Sequence, residues 1–297
     1  MKVSRILASL LAALSLGSVA CEGADERSSA DADADADTDA DTDADADSDS
    51  DSDADGDAGA DAGADCYDAI DVVFVLDVST SMGPMLQALQ DDIAEVWTAA
   101  DALTDLDEAT HFGLIVFVDD YLVANGGETF TDVATIQTRF NQWYTHTSSN
   151  EQTQSTASNT DWPENSIDAL YAAAAEYDWR DQATTLRVVI HATDDTFREA
   201  PDSFTSGIAV QHNYADTVAA LQAGTIRVMS FAAHLGGPAG DEDVEPGFFT
   251  DYDGQSSIPA ATSGAVFDIT QVGSTISLAD AINEFVAEEF CSDYVPE

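Results

Sequence analysis

Basic residues are scarce in this chain of 297 residues, which has eight Lys and Arg against 58 Asp and Glu and a formal net charge of −50. Lys2 is its one lysine, and five arginines are all the basic side chains, histidines aside, that residues 66–297 contain. Binding to nucleic acid requires Lys and Arg to neutralise phosphates, so the sequence excludes this function. We expect anionic membrane surfaces to repel the chain, whereas cations, including structural metals, are attracted. Most of the acidic residues are explained by solubility, for example in a salty habitat.

Long hydrophobic runs are also lacking. The apolar stretch at residues 6–16 follows Lys2 and Arg5 and precedes a small-residue segment that ends at Cys21. It is too short to span a membrane as a mature helix, and its flanks are typical of a secretion signal. We therefore predict a signal peptide at residues 1–20.

The end of this signal resembles that of bacterial lipoproteins, in which the cysteine becomes the lipidated first residue of the mature chain. The resemblance implies lipidation of Cys21, although Ser18 stands where that family usually has Leu. The alternative is ordinary cleavage after Ala20, which would leave an exposed thiol. As in lipoproteins sorted to the outer membrane, Asp is absent after the cysteine, where Glu22 stands. The resemblance thus implies an exported lipoprotein of the outer membrane, facing the periplasm or the cell surface.

Only two further cysteines are present, Cys66 and Cys291. They flank the globular part of an exported chain, a placement that predicts a disulfide between its two ends. Closing so long a loop would stabilise the domain by about 4–5 kcal/mol in the chain-entropy model. The alternative is a pair of free thiols.

Residues 21–65 have the composition of a linker. Asp occupies nearly every second position from Asp31 to Asp57, and its neighbours are small. The alternation resembles that of a strand, but there is no apolar face to bury and the like charges repel one another. We therefore predict an extended, disordered tether. A Ca²⁺-binding repeat is the alternative, but such repeats have ordered turn glycines, which are absent before Gly56.

From residue 66 onwards, apolar runs alternate with amphipathic segments. Predicted strands lie at residues 70–76, 112–118, 186–192, 225–233 and 264–269, with a short edge strand at 121–123 or 129–130. Predicted helices lie at residues 85–103, 133–144, 164–177, 213–222 and 277–290. This alternation predicts an α/β fold for residues 66–297, a three-layer Rossmann-like sandwich with a mostly parallel sheet and helices on both faces. Ligands of such sheets bind at the carboxyl ends of strands, where the strand order reverses.

Three oxygen-bearing side chains, Asp77, Ser79 and Ser81, follow the first strand at alternate positions. Alternate residues of an extended segment point to the same side, so their oxygens can converge on one cation. Such hard ligands suit Mg²⁺, Mn²⁺ or Ca²⁺. Taken alone, the pentapeptide is equally compatible with a polar loop.

Three further motifs accompany this one: residues 111–119 (HFGLIVFVD), 159–164 (NTDWPE) and 192–194 (ATD). Together they make residues 66–291 resemble the von Willebrand factor type A domain, and within that family the inserted domain of integrin β subunits. The resemblance implies a metal-ion-dependent adhesion site in which Mg²⁺ or Mn²⁺ binds a carboxylate from an Asp or Glu of a protein partner. The implied ligands are Asp77, Ser79, Ser81, Glu164 and Asp194.

The same resemblance implies a neighbouring Ca²⁺ site that shares Glu164. Its other ligands would be Asp119, Asn159, Asp161 and the backbone carbonyl of Pro163. The alternative role for Asn159 and Asp161 is turn formation and helix capping. A third site is not expected, because Pro84 and Met85 replace the aspartates that it requires. We interpret other loop acids, including Asp195, as solvated.

Catalysis is not expected. The sequence contains neither a Gly-x-Ser-x-Gly elbow nor a candidate cysteine nucleophile, and Ser79 stands where a haloacid-dehalogenase phosphatase would have its second Asp. The two resemblances together imply an exported adhesion-type binding protein that touches the membrane only through its lipid anchor. A structural envelope lipoprotein, whose metal only stabilises the fold, is the alternative, and a metal-dependent hydrolase is less favoured.

Overall fold

The fold is described from a computed structural model, for residues 66–104, 109–234 and 244–297. The predicted signal peptide (residues 1–20), the predicted lipidation site Cys21 and the predicted linker (residues 21–65) lie outside the described residues. No helix within the described ranges is long and apolar enough to cross a membrane.

A six-stranded sheet forms the middle layer. Its strands are β1 (Ala69–Asp77), β2 (His111–Phe117), β3 (Tyr121–Val123), β4 (Thr185–Thr193), β5 (Ile226–Ala232) and β6 (Ala265–Asp268). They lie in the order β3-β2-β1-β4-β5-β6, with β3 antiparallel to β2 and the other neighbouring pairs parallel. All nine residues of β1 are buried, which explains why this strand is an almost continuous apolar run.

Helices cover both faces of the sheet. They are α1 (Gly83–Leu103), α2 (Val133–His146), α3 (Ser166–Ala175), α4 (Tyr214–Ala223), α5 (Ile258–Ala261) and α6 (Leu278–Glu289). Alternate residues of β1 enter two cores: Phe74 packs in the core of α1, α2 and α6, and Val75 packs in the core of α3, α4 and α5. The predicted three-layer Rossmann-like sandwich is confirmed.

The reversal of strand order lies between β1 and β4. Because these strands are parallel and Leu76 lies opposite Ala192, their carboxyl ends meet at the same edge of the sheet. Asp77 ends β1, and Asp194 directly follows β4. The topology therefore brings the first and last motifs of the sequence together where α/β sheets bind ligands.

The predicted helix at residues 164–177 is shorter than expected, because it begins at Ser166. The Asn165 side chain caps it by accepting a hydrogen bond from the amide of Asp168. The amide of Glu164 instead donates to the carbonyl of Thr196, at 2.8 Å. Glu164 is thus held in an extended segment beside the loop after β4, and Pro163 lies outside the first turn of the helix.

The predicted disulfide between Cys66 and Cys291 is present and joins residues 225 positions apart. It links the segment before β1 to the segment after α6. The two ends of the domain, which are far apart in the sequence, are therefore joined by a covalent bond.

A buried arginine reinforces this junction. Arg227 of β5 is fully buried, and its Nε donates to Glu289 at 2.6 Å. The other guanidinium nitrogens donate to the Ser292 carbonyl at 2.7 Å and to the Tyr67 hydroxyl at 3.3 Å. Because these partners flank the two cysteines, one cation binds both ends of the domain to the sheet.

Replacing both cysteines (Cys66→Ser with Cys291→Ser) should lower the free energy of unfolding by about 2–5 kcal/mol, because the unfolded chain loses its cross-link. Chemical denaturation of the full chain measures this loss. A reductant should destabilise the wild type to a similar extent and leave the double variant unchanged. Equal stability of the wild type and the variant would contradict the prediction.

Candidate metal centre

Asp77 is fully buried where β1 ends. One of its carboxylate oxygens accepts a hydrogen bond from the amide of Ser79 at 2.7 Å, and the other accepts one from the Thr193 hydroxyl at 2.8 Å. The carboxylate is therefore fixed by the turn that follows its own strand and by the end of the neighbouring strand β4.

A chain of hydrogen bonds connects the remaining residues of the first motif to the last. The Ser79 and Ser81 hydroxyl oxygens lie 3.2 Å apart, and the Ser81 hydroxyl donates to Asp194 Oδ1 at 2.8 Å. Ser79 and Asp194 are buried, whereas Ser81 is exposed. The structure thus brings Asp77, Ser79, Ser81 and Asp194 together in a site that opens to solvent at Ser81.

Glu164 enters the same site from the loop before α3. It is buried, and its Oε1 accepts a hydrogen bond from the Asn159 amide group at 2.7 Å. Its Oε2 is also buried and has no hydrogen-bond partner. Carboxylate oxygens of Asp77, Glu164 and Asp195 all lie within 4.8 Å of one another, a separation that fits ligands of one metal ion.

Asp195 is therefore not the solvated loop acid that the sequence suggested. It is buried, and its amide donates to the Thr193 hydroxyl at 3.2 Å. β4 ends at Thr193, and Asp194 and Asp195 lie in the bend that follows it, where both are buried. The pair of adjacent acids after a strand was the only signal in the sequence.

The electrostatics of the site favour a cation. Burial, followed by the charge of Asp194, raises the pKa of Asp77 to about 7, although the hydrogen bonds from Ser79 act in the opposite direction. Burial and the charges of Asp77 and Asp119 raise the pKa of Glu164 well above its ordinary value. Burial likewise raises the pKa of Asp194.

Within the described ranges, no Arg, Lys or His forms an ion pair with Asp77, Glu164 or Asp194. Buried carboxylates are costly unless they are protonated, paired or bound to a metal. The crowded oxygens and the unpartnered Glu164 Oε2 therefore fit a small, hard divalent cation.

In the second predicted site, some of the carboxylate oxygens already have hydrogen-bond partners. Asp119 is buried, with Oδ2 bonded to the Gln152 amide group at 3.0 Å and Oδ1 buried without a partner. Asp161 Oδ2 accepts from Arg198 at 3.1 Å and from the amide of Thr205 at 3.0 Å, while its Oδ1 is buried without a partner. Each carboxylate thus keeps one oxygen that a cation could bind.

The other two predicted residues of this second site differ in what they offer. The Asn159 side-chain oxygen accepts a long hydrogen bond of 3.4 Å from the amide of Asp161, so it faces that turn. Pro163, the residue before Glu164, is buried.

The electrostatics of this second site are mixed. Burial raises the pKa of Asp119 to about 6, and the nearby charge of Asp161 adds to this effect. The oxygens suit Ca²⁺, but the guanidinium of Arg198 already supplies a positive charge to Asp161.

Three residues that the sequence analysis missed support the site. Thr193 bonds to Asp77, Gln152 bonds to Asp119, and Arg198 bonds to Asp161. Thr193 lies inside the ATD motif, so the motif itself was its signal. Gln152 and Arg198 lie in loops without a recognisable motif, and only the folded chain brings them to their partners.

His191 of β4 lies three residues before Asp194 and is fully buried. Its ring nitrogens contact the hydroxyls of Ser166 at 3.3 Å and Ser230 at 3.2 Å. Burial lowers its pKa to about 3, so it is neutral. His191 is therefore a core histidine whose two ring nitrogens both have hydrogen-bond partners.

Comparison of the sequence with protein-family models finds no match. None of the curated proteins matches the sequence either. Among solved structures, the chain is similar to an aerotolerance-related membrane protein from Bacteroides fragilis (18% identity, TM-score 0.43, 74% of this chain and 100% of that one). It is also similar to proximal thread matrix protein 1 from the mussel byssus (14% identity, TM-score 0.45, 78% of this chain and 48% of that one).

The stability of the metal-free protein should decrease as the pH rises through the weakly acidic range. Because burial raises the pKa values of Asp77 and Glu164, the folded chain holds protons that the unfolded chain has already released above about pH 4. The free energy of unfolding in EDTA should therefore fall as the pH rises from about 4 to about 7.

Denaturation with urea across this pH range measures the effect. Asp77→Asn should flatten the dependence, because it removes one of the buried titrating groups. Asp132→Asn is the control, since Asp132 is an exposed helix cap whose pKa is lowered by hydrogen bonds from Thr135. A fall of the same size in the Asp77→Asn variant and the wild type would contradict the assignment.

Proposed function

We propose that the protein is a von Willebrand factor type A domain that binds a protein partner through a divalent metal ion. The metal, Mg²⁺ or Mn²⁺, would be held by Asp77, Ser79, Ser81, Glu164 and Asp194, with Asp195 as an additional acidic neighbour. One observation carries the proposal: Asp77, Glu164 and Asp194 lie close together where the strand order reverses, and within the described residues none of the three forms an ion pair with a basic side chain.

Each residue has a distinct part in this proposal. Asp77, fixed by Ser79 and Thr193, supplies charge from the floor of the site. Ser79 and Ser81 offer neutral oxygens, which add ligands to the ion without adding negative charge. Ser81 lies on the exposed side, so a partner can approach there. A bound Mg²⁺ would supply a positive charge for the partner's Asp or Glu carboxylate, which this acidic surface would otherwise repel.

The second site is proposed as a weaker Ca²⁺ site formed by Asp119, Asn159, Asp161 and the carbonyl of Pro163, sharing Glu164. The unpartnered oxygens of Asp119, Asp161 and Glu164 support it. The ion pair between Arg198 and Asp161 opposes it, because Ca²⁺ and the guanidinium compete for the same carboxylate.

The biological setting remains the one that the sequence implies. We propose an exported bacterial lipoprotein of the outer membrane, held by a lipid at Cys21 and the acidic linker, with no enzymatic activity and no nucleic acid partner. The disulfide supports an oxidising compartment, because such bonds persist outside the cytosol. Contact with the membrane would be made only through the lipid.

Titration of the full chain with Mg²⁺ by calorimetry tests the first site. Wild type should show saturable binding, which Asp77→Ala should abolish, because it removes the central buried carboxylate. Asp91→Ala, on the exposed surface of α1, should bind Mg²⁺ like the wild type. Absence of binding in a folded wild-type protein would overturn the proposal.

The second site is tested by removing the competing cation. Arg198→Gln should increase the affinity for Ca²⁺ by about tenfold, because one positive charge leaves the immediate surroundings of Asp161. Arg139→Gln removes the same charge from α2 and should have little effect, and Asp161→Ala should abolish the gain. Tb³⁺ luminescence excited through Trp162, the neighbour of Asp161, provides the readout. An unchanged affinity in Arg198→Gln would contradict the proposed competition.

A further inference from the structure

An apolar cavity of about 390 Å³ adjoins the candidate metal centre. It lies between the first turns of α1 and the segment that connects β6 to α6. Its apolar wall is formed by Met82, Pro84, Met85, Ala88, Ile269 and Val272. Ser81 and Asp194, two residues of the metal centre, form one end of it. The cavity and the metal centre are therefore continuous.

The polar groups of the cavity wall are already engaged. The Thr270 hydroxyl donates to Asp268 at 2.7 Å, and the Ser81 hydroxyl donates to Asp194 at 2.8 Å. An occupant thus gains nothing from polar atoms along most of the wall, whereas burying apolar surface there is favourable. Polar interactions remain only at the end that the cavity shares with the metal centre.

We propose that this cavity, called here the flanking pocket, binds a large apolar side chain adjacent to the carboxylate that the metal ion captures. The partner would then present an Asp or Glu next to Leu, Ile, Met or Phe in an exposed segment. The inference rests on the proposed function, because it assigns the neighbour of the carboxylate whose capture is proposed above.

Exposed aromatic residues near the metal-site loops support an interface here. Trp162 is 55% exposed and follows Asp161, and Tyr144 is 39% exposed and shares a surface cavity with Thr80 of the first motif. Large aromatic side chains are common anchors of protein interfaces.

The pocket also distinguishes a partner from the chain's own linker. The linker offers many carboxylates, but between Asp31 and Asp57 each is flanked by Ala, Ser, Thr or Gly. Side chains of this size would leave the flanking pocket empty. A requirement for a large apolar neighbour therefore disfavours capture of the protein's own acidic segment.

The test measures binding of short peptides to the full chain in excess Mg²⁺. Three glycine-serine peptides differ only in their two central residues, which are Asp-Leu, Asp-Ala or Asn-Leu. A fourth peptide reproduces residues 31–57. Calorimetry or ligand-observed NMR should show that Asp-Leu binds at least about tenfold more tightly than Asp-Ala, since a leucine side chain is buried. Asn-Leu and the linker peptide should bind weakly, and EDTA should abolish binding of Asp-Leu.

A variant in which a larger side chain fills the flanking pocket provides the matched comparison with the wild type. Ala88→Leu adds bulk to the pocket from α1 while keeping a good helix former, and it should remove the preference for Asp-Leu without changing Mg²⁺ affinity. Ala94→Leu, on the exposed face of the same helix, should leave both unchanged. The comparison of peptides on the wild type remains decisive if Ala88→Leu does not fold.

The possible failures are distinguishable. Equal, Mg²⁺-dependent affinity for Asp-Leu, Asp-Ala and the linker peptide would overturn the flanking pocket and leave the proposed function standing. Absence of Mg²⁺-dependent binding for every Asp peptide, with Mg²⁺ itself bound, would overturn carboxylate capture and the pocket together. Binding of Asp-Leu that persists in EDTA would overturn the link between the pocket and the metal.

Discussion

Buried negative charge at the carboxyl edge of the sheet is the constraint on which the rest of this structure depends. Two buried acids away from this edge have basic partners: Asp71 pairs with Arg180 at 2.6 Å, and Asp168 lies 2.9 Å from His212. Five arginines must serve the whole domain, and the ion pairs of Arg180, Arg198 and Arg227 involve acids other than those of the first site. The charges of Asp77, Glu164 and Asp194, which form no ion pair with a basic side chain in the described ranges, therefore have to be offset by protons or by a metal ion.

The fold was predictable because its strands are buried on both faces. An apolar run such as residues 70–76 has few alternatives to a central parallel strand, and the intervening helices then cover the sheet. The edge strand beside β2 was harder to predict, since residues 121–123 and 129–130 both resembled a strand. The structure forms β3 from the former, whereas Phe130 only makes an isolated bridge with Phe112. The local sequence pattern could not distinguish the two segments, because the outcome depends on which of them pairs with the outer edge of β2 in the folded chain.

The site was predictable to the extent that its residues follow strands. Asp77 and Asp194 could be assigned to one edge because parallel strands end together. The predicted alternation of an extended segment through Ser79 and Ser81 is wrong, because Ser81 lies in the 3-10 turn Thr80–Met82, and this turn brings its hydroxyl to that of Ser79. The position of Glu164 outside α3 could not be read from local pattern, because it depends on the bond from its amide to Thr196 across the fold. The ion pair of Arg198 has the same origin, since it lies 37 residues along the chain from Asp161.

The two flanks of the centre differ in chemistry, and this difference has consequences for recognition. On the flank of Glu164, the neighbouring loop carries Asp161 with its guanidinium partner, so that flank is polar and contains both signs of charge. On the flank of Ser81 and Asp194, Pro84 and Met85 form part of an apolar wall at positions where the integrin resemblance would place aspartates. A metal ion alone attracts any carboxylate. If the centre captures a carboxylate as proposed, a polar flank and an apolar flank together would fix which way the segment carrying it runs, and discrimination between partners would depend on the flanks more than on the metal.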